Sequence, residues 1–154
     1  TDTSRAALVQ TLEKLKPASG CNELVELGAT TRDEVEARYL VDALKLILVH
    51  APDATGGDLL VAGAGLAYRT RDGKLVLPLP VDYLSYTGEL AEFLDQPAFR
   101  YAEKTVLIGG DASLLAQREF TQRGWNLVLR APYEGAPAYA WAATGRAEKT
   151  DRKK

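Results

Sequence analysis

The chain contains one cysteine and one histidine, and these two residues limit the chemistry that it could perform. Cys21 and His50 are a formal candidate for a nucleophile and its base. Glu23 and Glu26 follow Cys21 closely, and negative charge near a thiol disfavours the reactive thiolate. His50 falls at the end of a predicted helix, where a protonated imidazole interacts favourably with the helix dipole. We therefore predict no catalytic residues and assign both side chains structural roles.

Composition excludes several further kinds of site. A single cysteine allows no internal disulfide, and one histidine cannot form the pairs found in many metal sites. The formal net charge of −2 argues against a nucleic-acid binder built on a basic face. No apolar run approaches the roughly 20 residues that a membrane helix needs. We therefore predict no metal, no cofactor, no nucleic-acid partner and no membrane-spanning segment.

The segment Gly109–Ser113 is the strongest candidate for a ligand site, since it follows a predicted strand and opens a predicted helix. Helix N-termini attract anions, and loops at the carboxyl ends of strands bind ligands in open α/β sheets. Gly109 and Gly110 would let a ligand approach the backbone, and Ser113 adds a hydroxyl. Asp111 would repel an anion, and its alternative role is to cap the helix. These residues therefore predict either an anion or nucleotide site or an ordinary strand-to-helix turn.

Aromatic residues near the end of the chain form a second candidate site. Tyr133, Tyr139 and Trp141 lie among glycine, proline and alanine, so they cannot form a core of their own. They either fold back over the preceding domain or dock on a partner. Because tyrosine and tryptophan are enriched at interfaces, we predict that these three residues bind a protein partner or a second copy of the chain.

Hydrophobic periodicity predicts the helices that would position these residues. Leucines at spacings of four and three predict a helix over residues 4–15. A longer apolar stripe predicts a second helix over residues 32–49, with Thr31 as its N-cap. Weaker patterns predict two more helices over residues 82–94 and 112–123.

The strand predictions depend on glycine and proline. One strand is predicted over residues 59–70, with internal glycines that indicate a bulge. The Asp72-Gly73 pair predicts a hairpin turn into a second strand over residues 75–79. Because Pro78 cannot donate a hydrogen bond, we expect that strand to lie at a sheet edge or to end early. Residues 104–129 read as strand, helix and strand, which predicts a βαβ unit with parallel strands.

These elements predict a single α/β domain over residues 1–130, in two or three layers, followed by an irregular extension over residues 131–154. Its small mixed sheet contains one β-hairpin and one C-terminal βαβ unit. The side chains expected in the core are Leu40, Leu44, Leu48, Val106, Ile108, Phe120, Leu127 and Leu129.

The absence of a catalytic constellation makes a non-catalytic interaction or scaffold domain of a larger protein or assembly the leading hypothesis. The alternative is a domain that binds a small ligand at Gly109–Ser113, with or without enzymatic activity. The chain starts at Thr1 and contains no methionine, so we expect it to be part of a longer precursor. On that ground we favour a periplasmic or extracellular location over a cytoplasmic one.

Overall fold

A computed structural model describes residues 2–21, 24, 34–51, 55–62, 65–100 and 103–139. Its helices pack against a mixed β-sheet. In chain order the elements are α1 (Asp2–Leu15), α2 (Glu34–His50), β1 (Asp58–Ala62), β2 (Gly65–Arg69), β3 (Leu75–Leu79), β4 (Tyr83–Leu84), α3 (Gly88–Leu94), a 3-10 turn (Pro97–Phe99), β5 (Lys104–Ile108), β6 (Asp111–Ala112), α4 (Leu114–Gln122) and β7 (Asn126–Val128).

Five strands form the central sheet in the order β1-β2-β3-β5-β7. The first three strands pair antiparallel, whereas β5 is parallel to both β3 and β7. Strands β4 and β6 form a separate parallel pair. The predicted α/β class is therefore confirmed, together with its mixed sheet, the hairpin at Gly73 and the parallel β5-α4-β7 unit.

Two apolar clusters cover the opposite faces of this sheet. The pleat sends Val76 and Leu107 into the cluster that contains α1 and α2. Their neighbours Leu77 and Val106 point into the cluster that contains α3 and α4. Of the residues expected in the core, Leu40, Leu44, Val106, Ile108 and Phe120 are buried, and Leu48, Leu127 and Leu129 are partly buried against these clusters.

The single strand predicted over residues 59–70 is wrong, because the structure divides it into β1 and β2. These strands form an antiparallel hairpin in which Ala62 pairs with Gly65. Residues 63–64, which connect the strands, lie outside the described residues. Gly65 is therefore the first residue of a second strand and not part of a bulge, since a short connection can join two antiparallel strands directly.

Strand β3 lies in the middle of the sheet, so its predicted position at an edge is also wrong. Leu75 donates its N–H to the Glu103 carbonyl at 3.1 Å, next to the start of β5. At the other end of β3, the Leu79 carbonyl accepts from the Gly109 N–H at 3.0 Å. Alternate residues of a strand bond to opposite neighbours. The position at which Pro78 lacks an N–H therefore faces β2, and the hydrogen bonds between β3 and β5 are not interrupted.

Strands β2 and β3 separate after a short ladder. Towards the end of β3, the last residue pair of this ladder is Tyr68 with Val76. Continuing this register by two residues would set Pro78 opposite Leu66, where the two residues would exchange hydrogen bonds. Proline has no N–H to donate, so the ladder ends. The sheet consequently opens between the beginning of β2 and the end of β3.

The helix predicted over residues 82–94 is shorter than expected. Thr87 is its N-cap, with a hydroxyl that accepts from the Leu90 N–H at 3.2 Å. The preceding Tyr83 and Leu84 pair with β6 instead of joining the helix. This tertiary pairing outweighs the weak helical pattern of residues 82–87.

Candidate functional site

The segment Gly109–Ser113 lies at the carboxyl end of β5, as predicted, and it pairs with its own chain. Its backbone N–H groups donate to the carbonyls of the last residue of β3 and of the segment that follows it. The donors Gly109, Gly110, Asp111 and Ser113 bond to Leu79, Val81, Asp82 and Leu84, at distances of 3.0, 2.8, 2.9 and 2.9 Å. An anion at this loop would have to displace these bonds.

The side chains of this loop also contact the protein itself. The Asp111 carboxylate accepts two hydrogen bonds from Arg130, at 3.0 and 3.3 Å. Ser113 is the N-cap of α4, since its hydroxyl accepts from the Ala116 N–H at 3.1 Å. The alternative that Asp111 caps this helix is therefore wrong. Ligand binding by these residues stays a prediction.

The two glycines of the loop allow close packing against neighbouring segments. A Cβ atom on Gly110 would lie 1.8 Å from the Asp82 carbonyl oxygen. A Cβ atom on Gly109 would lie 2.9 Å from the Tyr139 hydroxyl. The structure thus brings one predicted ligand residue, Gly109, against one predicted partner-binding residue, Tyr139.

Tyr133 and Tyr139 fold back over the domain, which was one of the two alternatives for them. Their exposed fractions are only 7% and 8%, and their hydroxyl oxygens are 2.6 Å apart. The third aromatic residue of that prediction, Trp141, lies outside the described residues, as does the rest of 140–154. Partner binding by the three residues stays a prediction, and the two tyrosines could contribute only if their packing changed.

Residues 131–139, which we call the C-terminal strap, run antiparallel to α2. His50, near the end of α2, places Nε2 at 2.7 Å from the Pro132 carbonyl, so this nitrogen carries a proton. Near the start of α2, Arg38 donates to the Gly135 carbonyl at 3.2 Å. His50 thus joins the end of α2 to the C-terminal strap, a contact that the sequence did not predict.

Asp42 is a buried carboxyl group that the sequence analysis missed. It lies in the middle of α2 and is 6% exposed. Arg38 Nε donates to its Oδ1 at 3.3 Å. Burial raises the pKa of Asp42, although Arg38, Lys45 and Tyr133 act in the opposite direction. An aspartate inside an apolar helical stripe, four residues after an arginine, was the available signal.

A cleft of about 530 Å³ occupies the opening between β2 and β3. Helix α2 forms one wall and helix α3 the other. Its lining is mainly apolar and includes Leu40, Leu66, Leu77, Leu79, Leu90 and Phe93. Polar atoms come from Tyr39, Ser85 and Thr87, and two carboxylates come from Glu36 and Glu89. We call this space the β2–β3 cleft.

A second cavity of about 420 Å³ adjoins the β2–β3 cleft, and Val35 and Tyr39 line both. Glu34, Arg38, Asp42 and Pro80 complete its described lining. Burial, with a smaller contribution from Tyr139, raises the pKa of Tyr39 to about 12, so its hydroxyl stays protonated near neutral pH. We call this second space the polar chamber.

Leu79 lines the cleft and Pro80 lines the chamber, so both spaces lie at the carboxyl end of β3, the usual edge for ligands in open α/β sheets. Within the described residues, no group of three or more histidine, cysteine, aspartate or glutamate side chains could hold a metal ion. None of the described helices has the length and apolar character needed to cross a membrane. Comparisons of the chain with protein-family models, curated proteins and solved structures yield no match. Function is therefore inferred from the geometry of these residues alone.

Proposed function

We propose that this chain is a non-catalytic binding domain that holds a small, largely apolar ligand in the β2–β3 cleft. The observation that carries the proposal is the cleft itself. Its volume of about 530 Å³ falls within the range of roughly 300–1,000 Å³ that is typical of ligand pockets. The proposal keeps the idea of ligand binding from the sequence, but it moves the site away from Gly109–Ser113 and replaces the expected anion or nucleotide with a largely apolar ligand.

The cause of the opening supports this proposal. Tyr68 and Val76 exchange backbone bonds across β2 and β3, so Leu66, two residues earlier, directs its N–H and C=O to the same side. Pro78 cannot complete that pair. The cleft thus combines an apolar lining with backbone polar groups at one place, as ligand pockets commonly do. A ligand could enter without breaking an existing β-ladder.

A thermal-shift titration with 1-octanol, an uncharged alkyl probe, tests this function. Binding to the folded state alone raises the melting temperature, and a concentration of about 100 times the dissociation constant adds roughly 2.7 kcal/mol. The variant Leu90→Trp should abolish the shift, because Leu90 lines the cleft. The matched control Leu115→Trp should retain it, since Leu115 is half exposed on α4. An equal shift in both variants would exclude the cleft as the site.

A non-catalytic interaction or scaffold domain is the second candidate, and an exposed apolar patch favours it. Leu114 and Leu115 at the start of α4 are 71% and 51% exposed. Leu114 lines a shallow groove that also contains Leu127 of β7, a strand at one edge of the sheet as described. Exposed apolar patches of this kind mark protein contacts.

Two variants test whether self-association occurs through the Leu114–Leu115 patch or through the end of the chain. Replacing Leu114 and Leu115 with serine should abolish a dimer that forms through the patch, as measured by analytical ultracentrifugation. A deletion of residues 140–154 tests the predicted role of Trp141 and leaves the C-terminal strap intact. A deletion that begins at Tyr133 would confound the result, because it removes two buried tyrosines. A wild-type chain that stays monomeric at high concentration would exclude self-association.

A further inference from the structure

We infer that the β2–β3 cleft binds an uncharged peptide unit, in which one apolar residue of a short peptide pairs its N–H and C=O with the backbone of Leu66. This inference rests on the proposed ligand-binding function and adds the chemical class of the ligand. The bound residue takes the position opposite Leu66 that Pro78 cannot fill as a strand partner. It extends the sheet from β2, and many proteins bind extended peptides by such strand addition.

The backbone of Leu66 is the polar anchor of this site. Leu66 and Tyr68 direct their N–H and C=O groups towards β3, whereas Ala67 directs its groups towards β1. Tyr68 pairs with Val76, but no strand among the described residues pairs with Leu66 on that side. Leu66 is only 2% exposed. Because buried backbone groups without partners are costly, a ligand that bonds to both groups gains affinity from them.

These two groups require a donor and an acceptor from the same ligand. In an antiparallel pair, one residue supplies both its N–H and its C=O to the residue opposite. Tyr68 and Val76 make such a pair two residues further along. An alkyl chain would displace water from Leu66 without replacing its hydrogen bonds. Hydrogen bonding therefore favours an extended peptide residue over an alkyl chain.

The walls of the cleft favour apolar side chains on both faces of the added strand. A residue opposite Leu66 projects to the same face of the sheet as Leu66, where Leu40 of α2 lines the cleft. The residues before and after it project to the other face, where Leu90 and Phe93 of α3 line the cleft. Strands covered on both faces are apolar along their length, so we expect consecutive apolar residues in the peptide.

The charged side chains of the cleft disfavour a carboxylate on the ligand. Those in its described lining are Glu36 of α2 and Glu89 of α3, and both are exposed. They repel a ligand carboxylate, although solvent and salt weaken the effect. An internal peptide residue has a neutral amide on each side, whereas the last residue of a peptide carries a carboxylate. The cleft should therefore prefer an internal residue or a capped one.

Calorimetric titration with a minimal capped peptide, N-acetyl-leucine butylamide, tests the inference. Its matched control is the ester analogue in which an oxygen atom replaces the leucine N–H and every apolar group is kept. We expect the amide to bind about tenfold more tightly, because the ester cannot donate to the Leu66 carbonyl. A second analogue, with a carboxylate at the end of the butyl group, should bind less tightly than the butylamide.

Hydrogen exchange of single amides shows where the peptide unit binds. The Leu66 amide should exchange several-fold more slowly under saturating butylamide than under saturating 1-octanol, because only the peptide unit offers it a carbonyl at this position. The Ala67 amide is the internal control and should differ less, since its N–H is directed towards β1. Both measurements use the wild-type chain, so neither depends on a variant that could fail to fold.

The outcomes distinguish the inference from the function on which it rests. Equal affinities of the amide and the ester, with 1-octanol bound in the cleft, would overturn the peptide assignment and leave the proposed function intact. A preference for the amide without slower exchange at Leu66 would overturn Leu66 as the anchor. Tighter binding of the carboxylate analogue would overturn the assignment of an uncharged unit. Failure of every probe, 1-octanol included, would overturn the proposed function together with the inference.

Discussion

The Gly109–Ser113 loop and the β2–β3 cleft both lie at the carboxyl edge of the parallel strands, and they differ in how their backbone is used. In the loop, the N–H groups donate to carbonyls at the end of β3 and just after it, so the two segments pack against each other. In the cleft, Pro78 has no N–H to offer Leu66, and the strands separate. The backbone donors of the glycine-rich turn are thus used by hydrogen bonds within the chain. The missing N–H of Pro78, in contrast, leaves a space between two strands.

The largest effect should come from adding a side chain to the closed region. Gly110→Val should lower the free energy of unfolding by about 3 kcal/mol, because its Cβ atom would overlap the Asp82 carbonyl oxygen. Gly88→Ala is the matched control, since no atom of the described residues lies within 4 Å of its added Cβ atom. Urea denaturation measures both variants. A Gly110→Val protein as stable as the wild type would show that the loop can move apart, and the contrast with the cleft would disappear.

A second, smaller effect should come from restoring the missing donor in the open region. Pro78→Val supplies an N–H opposite Leu66, so β2 and β3 can extend their ladder and narrow the cleft. We expect 1-octanol affinity to fall about tenfold, and the added hydrogen bond to contribute about 1 kcal/mol. Titration and hydrogen exchange of the Leu66 amide measure the two changes.

Pro97→Ala, at the start of the 3-10 turn, is the matched control for the loss of a proline. It should leave 1-octanol binding unchanged, because Pro97 lies outside the described lining of the cleft. Unchanged binding in Pro78→Val as well would mean that something other than the proline holds the strands apart.

The smallest effect concerns the pH dependence of stability through Asp42. Burial raises the pKa of this carboxyl group in the folded state, so the folded protein favours its protonated form. The stability that this form contributes is complete below the ordinary pKa of about 3.9 and is lost as the pH rises through the raised value. Relative to Asp42→Asn, the wild type should therefore lose stability between pH 4 and neutrality.

Urea denaturation of both proteins at several pH values measures this difference. If the wild type instead gains stability relative to Asp42→Asn as the pH rises, then Arg38, Lys45 and Tyr133 outweigh the burial of Asp42.

The locally determined parts of this fold were predictable from the sequence. Leucine spacing predicted α1, an apolar stripe predicted α2, and the β5-α4-β7 unit followed from alternating strand and helix patterns. Gly73 adopts a φ of +85°, in the turn where an Asp-Gly pair predicted a hairpin. In each case the signal depends on residues close together in the chain.

The candidate site was less predictable because its walls come from distant segments. The cleft joins α2, β2, β3 and α3, and no short motif encodes their meeting. The local pattern at Gly109–Ser113 predicted either a ligand site or an ordinary strand-to-helix turn, because cap and turn chemistry is visible in a short segment. The sequence analysis missed Asp42 because a charged residue in a helix is usually solvated, whereas Asp42 is only 6% exposed in the folded chain.

The sequence by itself determined where backbone donors are absent, where glycines occur and which helical faces are apolar. Only the tertiary structure decided which neighbour each of these features meets. Pro78 lacks a backbone N–H in any fold, but in a strand with two neighbours the missing hydrogen bond can be on either side. The pairing of β3 with β5 leaves the missing N–H of Pro78 on the side of Leu66 in β2. A covalent property of one residue therefore becomes an opening between two strands of the sheet.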